Sequence, residues 1–187
     1  MREQNHLEIK LPRVCRYVVF TLVLTLPGLG VCCLQDKVYA QRQQTNQRTS
    51  RLLSLQSRCE ETVFSEINRF RRLRGLRLLR LHPQLQQAAR DHSRNMARYG
   101  YFDHYDLEGK TVRDRVARRV GGSWTLLAEN IAKDRAGVAE TKQVCKSWMK
   151  SPGHRKNILH AGFSETGVGA VVDLEGNVLL TQVFLAR

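Results

Sequence analysis

Two β-rich segments near the C-terminal end constrain the fold most. Thr166–Val172 and Val178–Phe184 are rich in β-branched residues and glycine, and Asp173-Leu-Glu-Gly-Asn177 between them is a turn, so together they read as a hairpin. A hairpin alone cannot bury a sheet face. At least one further strand is needed, and Asn130-Ile-Ala-Lys133 is the candidate. Helices must supply the rest of the cover. The order, helices first and hairpin last, predicts an α+β sandwich.

Four helical stripes precede the hairpin. Val63, Phe64, Ile67 and Phe70 predict a helix over about 60–73, ended by Gly75. His82-Pro83 opens a second, with proline in the first turn; Leu85, Ala88, Ala89, His92 and Met96 form its buried stripe and Gly100 closes it. Thr111 is the expected N-cap of a third helix carrying Val112, Val116 and Val120, which Gly121-Gly122 stops. The fourth spans about 138–150, with Val138, Thr141, Cys145 and Trp148 on one face. Ser151-Pro152-Gly153 then breaks the helix and is expected to set His154 on a sharp turn facing a cleft, before Ile158 and Leu159 resume burial.

The chain begins with an export signal. Arg2, Lys10, Arg13 and Arg16 precede an apolar run, Tyr17–Cys33, of 17 residues, close to the roughly 20 that a spanning helix needs. Val38-Tyr39-Ala40 predicts signal-peptide cleavage after Ala40. Lipidation at Cys32 and a retained membrane anchor are the alternatives. The expected organisation is therefore residues 1–40 as signal peptide or anchor, 41–59 as a flexible polar linker, and 60–187 as one domain. Cys15, Cys32 and Cys33 belong to the leader; Cys59 and Cys145 remain, and an exported chain can leave them free or pair them.

Of thirty-one basic and seventeen acidic residues, five and three lie before residue 41, leaving a net charge of about +12 beyond it. That balance favours acidic surfaces. Export sets specific nucleic-acid binding aside and leaves lipid or an anionic cell-envelope polymer as the expected partner. Membrane contact is expected only through the N-terminal segment. The densest basic run, Arg69–Arg80, reads as a helix end and loop with solvated arginines and inward leucines.

Three segments carry unusual polar groups: Phe102-Asp103-His104, Ala128-Glu129-Asn130-Ile131 and Ser151-Pro152-Gly153-His154. Two imidazoles and a carboxylate, if united by the fold, can hold a divalent metal such as zinc or position a water for acid–base work. His92 reads as a hydrogen-bonded core histidine, His82 as a helix cap and His160 as a loop residue. Asn130 reads as a backbone-bonding residue, and Trp124 and Trp148 as packing anchors.

Six segments in order resemble the CAP superfamily (cysteine-rich secretory proteins, antigen 5 and pathogenesis-related proteins), in its bacterial SCP-like branch. Asn68-Arg-Phe-Arg71 resembles its N-x-x-R, Leu79-Arg-Leu-His-Pro-Gln-Leu85 its L-x-W-D-P-x-L, and Tyr101-Phe-Asp-His104 its F-S-H. Ala128-Glu-Asn-Ile131 resembles G-E-N-I, Trp148–His154 the W-M-x-S-P-G-H, and Phe163–Gly169 the F-T-E-I-G-V-G. The resemblance covers about residues 62–186. It implies an α-β-α sandwich with a central antiparallel sheet between helical layers. It also implies a cleft of two histidines and two glutamates that holds a divalent metal in some members. His104, Glu129 and His154 match three of these positions, whereas Ser151 stands at the fourth. The expected function is that of an exported binding or interaction module whose His/Glu cleft takes a metal or small ligand. The alternative is a metal- or histidine-dependent hydrolase using His104, Glu129 and His154.

Overall fold

The computed structural model describes residues 30–121 and 123–187, with side chains from residue 35 onward. The chain divides into two units, residues 1–41 and 42–187, and every described strand lies in the second. The elements are α1 (Gly30–Arg72), β1 (Arg80–Leu81), α2 (Pro83–Tyr99), α3 (Val112–Val120), β2 (Leu126–Arg135), α4 (Val138–Lys150), α5 (Pro152–Leu159), β3 (Glu165–Val172) and β4 (Asn177–Ala186). The side chains of the apolar run Tyr17–Cys33, including Cys32, lie outside the described residues. The expected cleavage point after Ala40 falls within α1. No described helix is long and apolar enough to cross a membrane.

Local chemistry sets the helix ends. His82 caps α2 by accepting from the Leu85 amide (3.4 Å), Pro83 occupies the first turn, and Gly100 closes the helix at φ 68°. Thr111 and Asp114 form a reciprocal capping box on α3. Asp173 shapes the hairpin turn by accepting from the amides of Glu175 (2.9 Å) and Asn177 (2.8 Å).

The strands lie in the order β1-β3-β4-β2. β4 pairs antiparallel with both β3 and β2, and the two residues of β1 add a parallel edge to β3. β4 is buried at every position after Asn177 because both of its faces are covered. Val178, Leu180, Phe184 and Ala186 enter a core with Val63 and Ile67 of α1, Val144 and Trp148 of α4 and Ile158 of α5. Val183 and Leu185 point the other way, onto Leu85 and Ala89 of α2 and Val116 and Val120 of α3. This is the α-β-α sandwich. α2 lies so close to β3 that a methyl group on Gly167 would overlap the Leu85 and Gln86 backbone, and one on Gly169 that of Ala89 and Arg90.

The structure revises three local expectations and decides a fourth point that the sequence leaves open. Residues 42–58 are helical and not a flexible spacer; glutamine and arginine form helices well, and the half-buried Leu52 and Leu55 extend the stripe that continues through Cys59 and Val63. Proline at the first turn of α5 starts a helix as well as ending one, so His154 sits inside a short helix and not on a bare turn. In the basic run five of the six arginines are exposed and Leu79 is buried, as expected, but Arg71 is 0% exposed and Leu73 is 68% exposed. Arg71 is buried because its guanidinium donates to four carbonyls: Arg77 (2.8 Å), Ile158 (2.8 Å), His160 (3.0 Å) and Phe163 (3.1 Å). Finally, Cys59 and Cys145 are buried, free thiols. Burial pushes the Cys145 thiol up to about 12.

Three substitutions test this frame. Arg71→Met strands four carbonyls and should lower unfolding free energy by about 3 kcal/mol or more in urea titrations. Arg69→Ala, which removes an exposed pair with Glu66, should cost about 1 kcal/mol or less. Gly169→Ala should cost about 2 kcal/mol or more by the same measurement, since backbone and not a side-chain tip meets the new methyl.

Candidate functional site

Glu129 lies in the middle of β2, opposite Val183 of β4, with a side chain only 2% exposed. A carboxylate held there needs partners on both oxygens. Arg115 Nη2, from the inward face of α3, donates to Oε2 (2.7 Å), and His104 Nδ1 donates to Oε1 (2.9 Å). Arg115 also donates through Nη1 to the carbonyls of His104 (3.0 Å) and Lys110 (3.1 Å), which pins the loop between α2 and α3. The His104 ring is thus held on one edge and 50% exposed, with Nε2 left over.

His154 approaches from α5. Its ring tilts against Trp148, with centroids 6.1 Å apart, and its Nδ1 lies 2.9 Å from Ser151 Oγ. Two asparagines clamp α5 to β2. Asn130 Nδ2 donates to the His154 carbonyl (3.3 Å), while Asn157 Nδ2 donates to Asn130 Oδ1 (2.9 Å) and to the Glu129 carbonyl (3.2 Å). His104, Glu129 and His154 therefore occupy one continuous hydrogen-bonded neighbourhood, although they are distant in sequence. His92 lies beside it as a buried core residue, with Nε2 donating to the Asp103 carbonyl (3.0 Å). Glu165 is elsewhere, paired with Arg80 and Arg187.

The two imidazoles are driven apart electrostatically. The hydrogen bond that His104 donates to Glu129 outweighs burial and raises the His104 pKa above its ordinary 6.5. Burial, and then the charge of His104, lowers that of His154. The site therefore holds His104 towards its charged form and His154 towards its neutral one.

Among the described residues, no group of three or more His, Cys, Asp or Glu is placed to hold a metal ion. Zinc centres use three or four protein donors. Here Glu129 has both oxygens engaged, and the fourth position expected of a complete donor set holds Ser151. The donor set does not fit a resident metal.

The sequence reading missed Arg115 and Arg71. Arg115 had a signal: it stands three residues after Val112 and beside Val116, on the apolar stripe of an otherwise arginine-rich helix. Arg71 had one as well, since it falls four residues after Ile67. A third buried charge, Glu60, follows the buried Cys59 and is satisfied by Arg90 (2.8 Å), Gln86 (3.1 Å) and the Ala170 amide (3.2 Å).

With the sandwich and this cluster in view, comparison places the chain. Residues 64–184 match the family model CAP, the cysteine-rich secretory protein family, and the chain belongs to that family. It is 36% identical over 152 residues to the uncharacterized protein YkwD of Bacillus subtilis, covering 81% of this chain and 56% of that one. An extracellular protein containing a SCP domain from Bacillus anthracis superposes with a TM-score of 0.65 at 30% identity, over 74% of this chain and 43% of that one. The chain spans about half the length of these relatives. An outer surface protein of Borrelia burgdorferi shares the fold, with a TM-score of 0.62 at 20% identity, over 69% of this chain and 92% of that one.

The site predicts a defined titration order. In NMR titrations His104 should lose its proton above pH 6.5 and His154 below it, and Glu129→Gln should bring the His104 midpoint down while Arg115 keeps an acceptor. Stability follows the same signs. The His104 contribution is full below pH 6.5 and disappears as the pH rises through its higher folded-state value. His154 and His92, both lowered by burial, withdraw stability as the pH falls below 6.5. An unmoved His104 midpoint in Glu129→Gln would show that the ion pair does not form.

Proposed function

We propose that this chain is an exported CAP-domain binding module whose ligand sits against the exposed edges of His104 and His154. The engagement of Glu129 carries the reading: with one oxygen on Arg115 and the other on His104, the carboxylate anchors an imidazole and is not free as a base. The half-exposed His104, held towards its charged form by Glu129, beside a His154 held towards its neutral form suits a small polar or anionic ligand, which one imidazole holds by a charge-assisted hydrogen bond and the other by a neutral one. Export is supported by the basic and apolar N-terminal segment and by relatives described as extracellular or outer-surface proteins.

A second reading rests on one contact. Ser151 Oγ lies 2.9 Å from His154 Nδ1, a hydroxyl beside a neutral base. In a hydrolase, His154 would take a proton from Ser151 or from a water, with Glu129 positioning His104 and not taking the proton itself.

Native mass spectra of the chain purified without chelator, beside His154→Ala, separate the readings. A bound mass carried by the wild type and lost in the variant supports the binding module. Turnover of a peptide and ester panel that both His154→Ala and Ser151→Ala abolish, with no retained ligand, establishes the hydrolase instead. Neither bound mass nor turnover would overturn both.

A further inference from the structure

The groove between α2 and α3 carries chemistry that the His104 site does not use. A cavity of ≈ 440 Å³ opens there, lined by Arg94, Arg115, Arg118, Arg119, Asp91 and Asn95 among others. Its size falls within the range of sites for small ligands, about 300–1,000 Å³, and is too large for a lone ion. Four guanidiniums face one carboxylate. Asp91 is shared between Arg94 (2.8 Å) and Arg119, Arg115 is committed to Glu129, and Arg118 has no ion-pair partner among the described residues.

Arg94 also lines a second cavity, of ≈ 480 Å³, together with Arg90. The two arginines stand one turn apart on α2, about 6 Å along the axis, so the positive lining forms a track and not a point. Glu60, the carboxylate in that second cavity, is paired through both oxygens with Arg90, so Arg90 marks the end of the track and the charge open to a ligand lies on Arg94, Arg118 and Arg119. Arginines on a convex helix face are adequately explained by solvation. These instead converge on a concavity, where their mutual repulsion is relieved by an anion, and their planar forks match phosphoryl oxygens bidentately.

We propose that the α2–α3 groove binds a phosphate-bearing chain. Arg118 and Arg119 grip the first phosphate, Arg94 continues the track towards Arg90, and Asp91 is the internal competitor that the ligand displaces. The shared chemistry is a run of phosphoryl oxygens, presented either by a soluble phosphate polymer or by phospholipid headgroups. The site is separate from the cleft assigned above, so His154→Ala should leave it unchanged.

Calorimetry of the full chain with inorganic tripolyphosphate tests the assignment. Arg118→Ala with Arg119→Ala should weaken binding at least about tenfold. Arg72→Ala with Arg74→Ala, which removes the same charge from the exposed region around the end of α1, should change it by less than about twofold. Asp91→Asn should tighten binding about threefold or more, a gain that misfolding cannot produce. Equal losses from the two double variants, or no gain from Asp91→Asn, would overturn the proposal in favour of attraction by net charge. A second arm uses vesicles of phosphatidylcholine with and without phosphatidylglycerol. If tripolyphosphate gives no saturable heat but phosphatidylglycerol vesicles retain the wild type better than the Arg118/Arg119 variant, the groove stands and its source is a lipid headgroup. No difference between those proteins in either arm removes it.

Discussion

A guanidinium withdrawn from water must find several acceptors in exchange, and this domain uses that demand twice. Arg71, at the end of α1, gathers the carbonyls of Arg77, Ile158, His160 and Phe163. Arg115, on α3, gathers those of His104 and Lys110 together with the Glu129 carboxylate. The first fixes the end of α5, the helix that carries His154. The second fixes the loop that carries His104. Loop backbones lack the ladder partners of helices and strands, and a buried multidentate donor replaces them. Both histidine-bearing segments are held in this way.

The same logic explains why the site is asymmetric. A buried carboxylate is tolerated only with its charge answered, and Glu129 is answered by a fixed cation on one oxygen and a titratable ring on the other. That ring is therefore held towards its charged form, while His154, lowered by burial and then by the charge of His104, is held towards its neutral one. With Arg115 supplying the positive charge, the cluster is complete without a metal cation. The positive surface beyond it, on α2 and α3, follows from the arrangement of α3. Its inward arginine, Arg115, serves Glu129, and of its outward arginines Arg119 shares Asp91 with Arg94 of α2.

Much of the fold was legible in advance because its signals are local. The capping residues Thr111 and His82, the stop at Gly100, the hairpin turn at Asp173 and the helical stripe of α4 each depend on residues within a few positions of one another. The third strand was visible as Asn130–Lys133, although pairing with β4 extends it to Leu126–Arg135. The helical state of residues 42–58 was not legible, because polar composition was taken for flexibility although the side chains involved favour helix. β1 was missed for another reason. Two residues become a strand only because Glu165 and Thr166 lie beside them.

The sequence by itself determined where α2, α3 and α4 begin and end, where the hairpin turns, and which residues could take part in a site. His104, Glu129 and His154 were found through their segments. Caps, turns and periodicity are short-range effects and survive without knowledge of the fold. Only the tertiary structure decided which charges are buried, and so what each polar residue does. Arg71 and Arg115 look like their solvated neighbours in the sequence and differ from them only in what lies opposite. Both Glu129 oxygens are engaged because α3 and the loop before it bring Arg115 and His104 against β2. The state of a charge depends on long-range neighbours that no local pattern records.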